Sequence, residues 1–293
     1  VRPARPTPPG LHQYSPMRSV IPPSGSSVKW NAADYAANSS VQQSWARELI
    51  AKIAFRGDER IVDAGCGDGK VTAEIARVVP SGLVIGTDVS AEMIAFATKS
   101  FPRATHPNLR FKVCDARQIS QKLFSPPAAA DLIFSNAALH WVDGHEQFLR
   151  AAAGLLKPGG RLIVSCGGKG NAHDVYLALR PEMRLHRWRE FFRRMPAPYF
   201  FHSPADYGKW LPQHGFKVNT LKLAPKDATY AGPDGFATWL RITWIPYVQR
   251  LPEMMREEFI AAVTRRYLAK HPPDTDNRVH VRMVRLEIDA IKI

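Results

Sequence analysis

The sequence has little cysteine. Cys66, Cys114 and Cys166 are its only three, they lie far apart, and none belongs to a C-x-x-C pair. A disulfide framework or zinc site is therefore not expected, and the three read as small core residues of a reduced, cytoplasmic protein. Long hydrophobic runs are also missing: none reaches the roughly 18 apolar residues that a membrane-spanning helix needs. No cluster of His, Cys, Asp and Glu has metal-ligand spacing, so metal-independent chemistry is expected. Acidic residues are absent from residues 1–29, which carry four basic ones. That segment is rich in Pro, Ser and Gly and reads as a disordered tail. The chain opens on Val1 rather than Met, which leaves an upstream piece open, with a targeting-peptide remnant as the minor reading.

The formal net charge is +14, unevenly spread. Residues 30–164 carry 15 basic and 13 acidic residues, a net of +2, whereas residues 165–293 carry 21 and 13, a net of +8. A basic surface suits nucleic acid, an anionic membrane or an acidic small substrate, or serves solubility alone. At 293 residues the chain is long enough for a full core.

The most informative stretch is Val62-Asp63-Ala64-Gly65-Cys66-Gly67-Asp68-Gly69. An apolar lead-in, an acid, three alternating glycines and a helix-like run describe a turn that lets a ligand approach the backbone. The helix that follows offers free N–H groups and a positive dipole end. A dinucleotide fingerprint would need glycine or alanine where Lys70 stands, and a P-loop fails at Ala64 and Val71. The remaining pattern, D-x-G-x-G-x-G, resembles motif I of class I S-adenosylmethionine-dependent methyltransferases.

Further landmarks follow in order. Leu83 to Asp88 reads as a buried strand ending in an acid, about 20 residues beyond the glycines, where an open α/β fold places a ribose-binding carboxylate. Residues 109–113, closed by Cys114-Asp115-Ala116, and residues 131–136 read as the next strands. Residues 155–164 read as a helix end, a turn around Pro158-Gly159-Gly160, and a fifth strand. These match the landmarks of the methyltransferase family. The resemblance implies a doubly wound, mostly parallel seven-stranded α/β sheet with a C-terminal antiparallel strand pair and helical lid insertions. It implies S-adenosylmethionine as cofactor, with Asp63, Gly65, Gly67 and Gly69 at its methionine part, Asp88 at the ribose hydroxyls and Asp115 at the adenine amine. Cys66, Val89, Met93, Cys114, Ala116 and Asn136 complete the expected cofactor set. Read singly, Asp88 could be a helix cap, Asp115 a turn residue and Met93 a core residue.

Organisation follows from periodicity. Residues 30–56 read as a lid helix, with Val41, Trp45, Leu49 and Ile53 on one face and Tyr35, Asn38 and Gln42 on another stripe. Residues 57–164 form the cofactor-binding core. Residues 165–293 supply the substrate lid and complete the sheet: a helical, Arg-rich stretch at 174–195, an alternating strand at 216–223, helices over 233–270 and a last strand from Val279.

Trp30-Asn31, Tyr35, Asn38 and Gln42, together with Asn136-Ala137-Ala138-Leu139-His140-Trp141, resemble the trans-aconitate and juvenile hormone acid methyltransferases. The likeness covers about residues 28–293. It implies methyl transfer to the carboxylate of a small, acidic organic molecule, with Gln42 and Trp141 donating hydrogen bonds to its oxygens and Tyr35 closing over the cofactor. A carboxylate is ionised at neutral pH, since its reference pKa is near 4, and needs no general base. His140 would add a third donor, or act as base for a phenol or amine. Amino-methylating enzymes often carry [ND]-P-P-[YF] where this chain has Asn136 followed by two alanines. The basic run Arg184, His186, Arg187, Arg189, Arg193 and Arg194 falls outside the family pattern and reads as a solvated face or a recruiter of acidic substrate. N-, phenol O- or C-methylation of another metabolite stays open, as does a basic binding module that retains the cofactor. No membrane or nucleic-acid partner is expected, and the protein should be a monomer or homodimer.

Overall fold

The computed structural model describes the backbone from Ser40 onward and side chains from Gln43 onward. The expected tail at 1–29, Tyr35, Asn38 and the side chain of Gln42 lie outside the described residues.

The sheet grows from short apolar strands. β1 (Arg60–Ala64), β2 (Leu83–Asp88), β3 (Leu109–Val113), β4 (Ala130–Asn136) and β5 (Leu156–Gly167) are parallel, and β6 (Phe216–Ala231) and β7 (Arg278–Lys292) add an antiparallel pair. The order is β3-β2-β1-β4-β5-β7-β6. Strands buried on both faces must be apolar at successive positions. Accordingly Ile61 faces one layer with Val84, Leu132 and Phe134, while Val62 faces the other with Ile85, Ile133 and Leu162. The first layer is covered by α1 (Ser40–Ile50) and α2 (Lys70–Val78), the second by α4 (His145–Leu155) and α7 (Pro204–Gln213); α3 (Ala91–Ser100) leads from β2 to β3. This is the doubly wound architecture that the sequence predicts.

The β6–β7 ribbon is longer than the sequence pattern suggests. Arg285 to Ile291 pair with β5, but β7 continues past the end of β5, and its residues 278–284 pair with β6 alone. The expected strand at 216–223 in fact runs to Ala231. Pro225 lies within it, which is tolerated because β6 is the sheet edge and its missing N–H breaks no inner ladder. The overhang projects from the carboxyl edge of the parallel strands. There Ala228, Val279, Val281 and Met283 join a second core with α5 (His173–Arg184), α6 (Arg189–Phe192), α8 (Gly232–Thr243), α9 (Ile245–Val248) and α10 (Glu253–Leu268). The result is a helical cap held over the carboxyl edge of the sheet.

Three further differences have local causes. α1 stops at Ile50 rather than continuing to residue 56; Lys52 and Ile53 N–H groups tighten onto Leu49 and Ile50 carbonyls and end the helix. β5 starts at Leu156, because Ala130 pairs with Leu156 and Leu132 with Arg161, so the Pro-Gly-Gly turn is a bulge inside the strand. α7 sits in a stretch without apolar rhythm, but its Ser203-Pro204-Ala205-Asp206 start is a capping box: Ser203 N–H donates to Asp206 Oδ2 at 2.8 Å and Asp206 N–H to Ser203 Oγ at 3.3 Å.

Phe236 is fully buried in the cap and stacks on Tyr267 at 4.5 Å between ring centroids. Phe236→Ala is expected to destabilise the protein by about 3–5 kcal/mol, measured from the midpoint of urea unfolding.

Candidate active site

Strand order reverses direction between β1 and β4, the place where open α/β sheets bind ligands beyond the carboxyl ends of the strands. A cavity of about 360 Å³ lies there. The loop after β1 forms its floor. Gly65, Gly67 and Gly69 have φ of 80°, 52° and 81°, the left-handed region that favours glycine. Gly65 and Cys66 N–H groups donate to the Thr87 carbonyl at 2.7 and 2.9 Å, which folds the loop back onto β2. Gly67 N–H donates to Asp88 Oδ2 at 3.1 Å, while Ser90 N–H donates to Oδ1 at 2.9 Å. Each carboxylate oxygen keeps a lone pair for a ligand hydroxyl.

Acid crowding sets the electrostatics. Asp63 is 2% exposed and accepts a 2.7 Å hydrogen bond from Thr72 Oγ1. Burial pushes its pKa up to about 7, and the nearby Asp88 and Asp68 add to the rise. Burial also raises Asp88. Asp115 caps the turn at Ala116–Gln118 and is gripped by Arg117, whose Nε and Nη2 donate at 3.0 and 2.6 Å. That pairing holds its carboxyl below the usual range.

The opposite wall comes from the chain after β4. Ala137 has φ of 59° and its N–H donates to the Ser165 carbonyl at 2.7 Å. Proline, locked near −65°, could not stand there, so the N-A-A sequence makes a turn that an N-P-P loop cannot. The turn sends Ala138 against Gly65 and puts Trp141 on the cavity wall, with its ring edge on Tyr199 at 4.8 Å.

Of the residues singled out in the sequence, Asp63, Gly65, Cys66, Gly67, Asp88, Val89, Met93, Cys114, Asp115, Ala116, Asn136 and Trp141 line this cavity. Gly69 lies behind it, where a Cβ would meet the Phe111 ring at 2.7 Å. His140 is also behind the wall. Its ring stacks on Phe201 at 5.9 Å, Gly167 N–H donates to its Nδ1 at 3.3 Å, and burial together with Arg285 lowers its pKa to about 3. Sequence reasoning missed Gln43, Lys70, Arg117 and Asp143 on the lining. Gln43 Nε2 and Arg47 both donate to Glu74, fastening α1 to α2, so this end of the expected lid helix is anchored to the core. The basic run at 184–194 is exposed on the cap; Arg187 pairs with Glu258, and Arg189 and Arg193 with Glu190. Among the described residues, no helix is long and apolar enough to cross a membrane and no group of three His, Cys, Asp or Glu could hold a metal ion.

The raised pKa of Asp63 predicts a pH signature. Between the unfolded value near 4 and the folded value of about 7, the folded chain holds a proton that the unfolded chain has lost. Stability from this group therefore falls as pH rises through that window. In ligand-free protein, Asp63→Asn should gain stability relative to wild type between pH 5 and pH 8, read from urea midpoints at the two values.

A methyltransferase domain model matches residues 62–164, the span from β1 into β5. The trans-aconitate 2-methyltransferase of Rhodopseudomonas palustris (strain BisB18) is 27% identical over 90% of this chain and 99% of its own length. The enzyme of the same name from Variovorax paradoxus (strain S110) is 28% identical over 90% and 99%. A crystal structure of a protein from Bacillus halodurans C-125 superposes with a TM-score of 0.57 at 17% identity, covering 85% of this chain and 99% of its own, and shares the fold. The glycine loop, the 3-2-1-4-5-7-6 sheet and these likenesses together make the chain a class I S-adenosylmethionine-dependent methyltransferase.

Proposed function

We propose that this enzyme methylates a carboxylate of a small organic acid, releasing a methyl ester. The observation that carries this reading is His140. It is the histidine beside Trp141, yet its Nδ1 is taken by Gly167 N–H and its pKa is lowered to about 3. So weak a base is poorly matched to deprotonating a phenol or ammonium group. A carboxylate arrives ionised and needs only to be oriented. The relatives named trans-aconitate 2-methyltransferases, which span about 90% of the chain, support the same acceptor class.

The cavity fits the cofactor in chemistry as well as in position. Asp88 offers two acceptor oxygens suited to vicinal ribose hydroxyls, and Asp115 and Met93, on the lining of the same cavity, would take the adenosine. Asp63 and the glycine loop would hold the methionine part. A cationic ligand beside Asp63 would draw that buried carboxyl back to its ionised form, so binding and proton release are coupled. The bound cofactor supplies an activated sulfonium methyl. The chain's own task is to align the acceptor and exclude water, which supplies much of the rate. Trp141, on the wall between the cavity and the cap, would steer the acceptor oxygens. His140, with Nδ1 accepting, carries its proton on Nε2 and buttresses Trp141 from behind. Gln42 would act beside Trp141 and Tyr35 would close over the cofactor, as the family resemblance implies.

Two outcomes check this reading. Asp88→Ala should weaken S-adenosylmethionine binding at least about tenfold, the worth of one strong hydrogen-bonded group, measured by calorimetry. Trp141→Phe should lower kcat by about 10–100-fold while leaving cofactor affinity nearly unchanged, with product followed as a base-labile methyl ester. Label transfer from methyl-labelled cofactor only to phenols or amines would overturn the carboxylate assignment.

A further inference from the structure

The cap turns one strongly basic face to solvent. In α5 the exposed residues are His173, Tyr176, Leu177, Arg180 and Arg184. At about 3.6 residues per turn these five fall within an arc of roughly 100°. The two acids of the helix, Asp174 and Glu182, lie off that arc and pair with Arg282 and Arg266. Beyond α5, Leu185, His186, Arg187, Arg189, Arg193 and Arg194 are exposed as well. Glu190 is the one exposed acid between residues 173 and 194, and Arg189 and Arg193 share it at 3.6 and 3.7 Å. Arg187 pairs with Glu258 of α10. Among the described residues no carboxylate pairs with Arg180, Arg184 or Arg194.

Charge complementarity calls for an anionic partner. Two features favour a lipid surface over nucleic acid. Single-stranded nucleic acid stacks its bases on open aromatic faces. Here the Arg180 guanidinium already lies over the Tyr176 ring at 5.7 Å, and Trp188 is fully buried beneath Arg187. The face offers aliphatic side chains instead: Leu177 is 48% exposed and Leu185 42%, each set among arginines. Leucines flanked by arginines suit the boundary between headgroups and acyl chains, where the leucines leave water and the arginine stems reach back to phosphate. The opposite side of α5 is fixed in the cap core by Val175, Ala178 and Leu179. The face is therefore presented ready-made, and binding pays little to order it.

We infer that α5 and the arginines that follow it form a peripheral docking surface for a bilayer carrying anionic lipids. Leu177 and Leu185 enter the headgroup boundary, and Arg180, Arg184 and Arg194 meet lipid phosphates. The sequence expectation of no membrane partner followed from the want of a spanning helix; lying on a bilayer needs only such a face.

The test is cosedimentation of the full chain with vesicles of phosphatidylcholine alone or mixed with phosphatidylserine. Binding should appear on the mixed vesicles only and weaken as salt is raised. Each arginine at an anionic surface contributes about fivefold in affinity, so Arg180→Gln combined with Arg184→Gln should weaken binding about 25-fold. Leu177→Ser combined with Leu185→Ser should weaken it about tenfold. None of the four positions lines the cofactor cavity, so methyl transfer to a soluble acceptor and the urea midpoint should stay at wild-type values in both variants. Wild-type affinity in the arginine variant would place any binding elsewhere in the chain, such as the basic segment 1–29, and overturn the inference. Equal binding to both kinds of vesicle would do the same. So would undiminished binding of the leucine variant, since bare charge attraction needs no apolar side chains. Tighter binding to a single-stranded RNA oligonucleotide than to the mixed vesicles would assign the face to nucleic acid instead.

Discussion

At Gly65 the loops after β1 and β4 press together so closely that a Cβ would lie 2.1 Å from the Ala138 Cβ, at a φ of 80° that already favours glycine. This contact joins the two halves of the doubly wound sheet at the point where strand order reverses. The same approach brings Trp141 to the rim of the cavity that the glycine loop floors. Because Gly65 and Cys66 N–H groups are tied to Thr87, the loop is also locked to β2 and hence to Asp88. One steric constraint therefore coordinates the floor, the carboxylate and the aromatic wall.

Charge is arranged around that contact with unequal tolerance. Asp115 is stabilised by Arg117, and Asp68 by Lys70 at 3.4 Å. Asp63 accepts a hydrogen bond from the Thr72 hydroxyl and, with no described cation paired to it, has its pKa raised by burial to about 7. A buried carboxyl poised near pH 7 responds to a cation more strongly than one already ionised, so the site is preorganised in shape while its charge waits for the ligand. On the other wall, burial and Arg285 keep His140 neutral. The guanidinium of Arg285, itself 4% exposed, donates to the Ser165 carbonyl at 2.6 Å and to Asn136 Oδ1 at 3.3 Å, and so braces the ends of β4 and β5.

The cap depends on a different feature, the length of the terminal ribbon. β7 outruns β5, and the overhang gives the helices over 173–268 an apolar floor of Ala228, Val279, Val281 and Met283. Without it those helices would have no sheet to bury against. The ribbon thus connects the cofactor core to the cap, and Tyr199 of the cap meets Trp141 of the core where the two are joined.

The parallel strands were legible because strands buried on both faces read as apolar runs, and the glycine loop because positive φ has few residue solutions. Asp63 and Asp88 stood out because they sit at the ends of apolar strands beside the glycine loop, and Trp141 only through a family resemblance; all three line one cavity. Ser203-Pro204-Ala205-Asp206 was a legible helix start that apolar periodicity alone overlooked. The run of β6 beyond Leu223 was obscured by Pro225, whose tolerance depends on edge position, a property of the assembled sheet. The retreat of His140 behind the wall, between Phe201 and Gly167, and the packing of Tyr199 on Trp141 arise between segments far apart in the chain. Sequence by itself determined the sheet and the kind of ligand its loop could cradle, since those follow from backbone conformation and burial pattern. Only the tertiary structure decided that His140 is a neutral hydrogen-bond acceptor rather than a base, because protonation depends on what folding packs against each side chain.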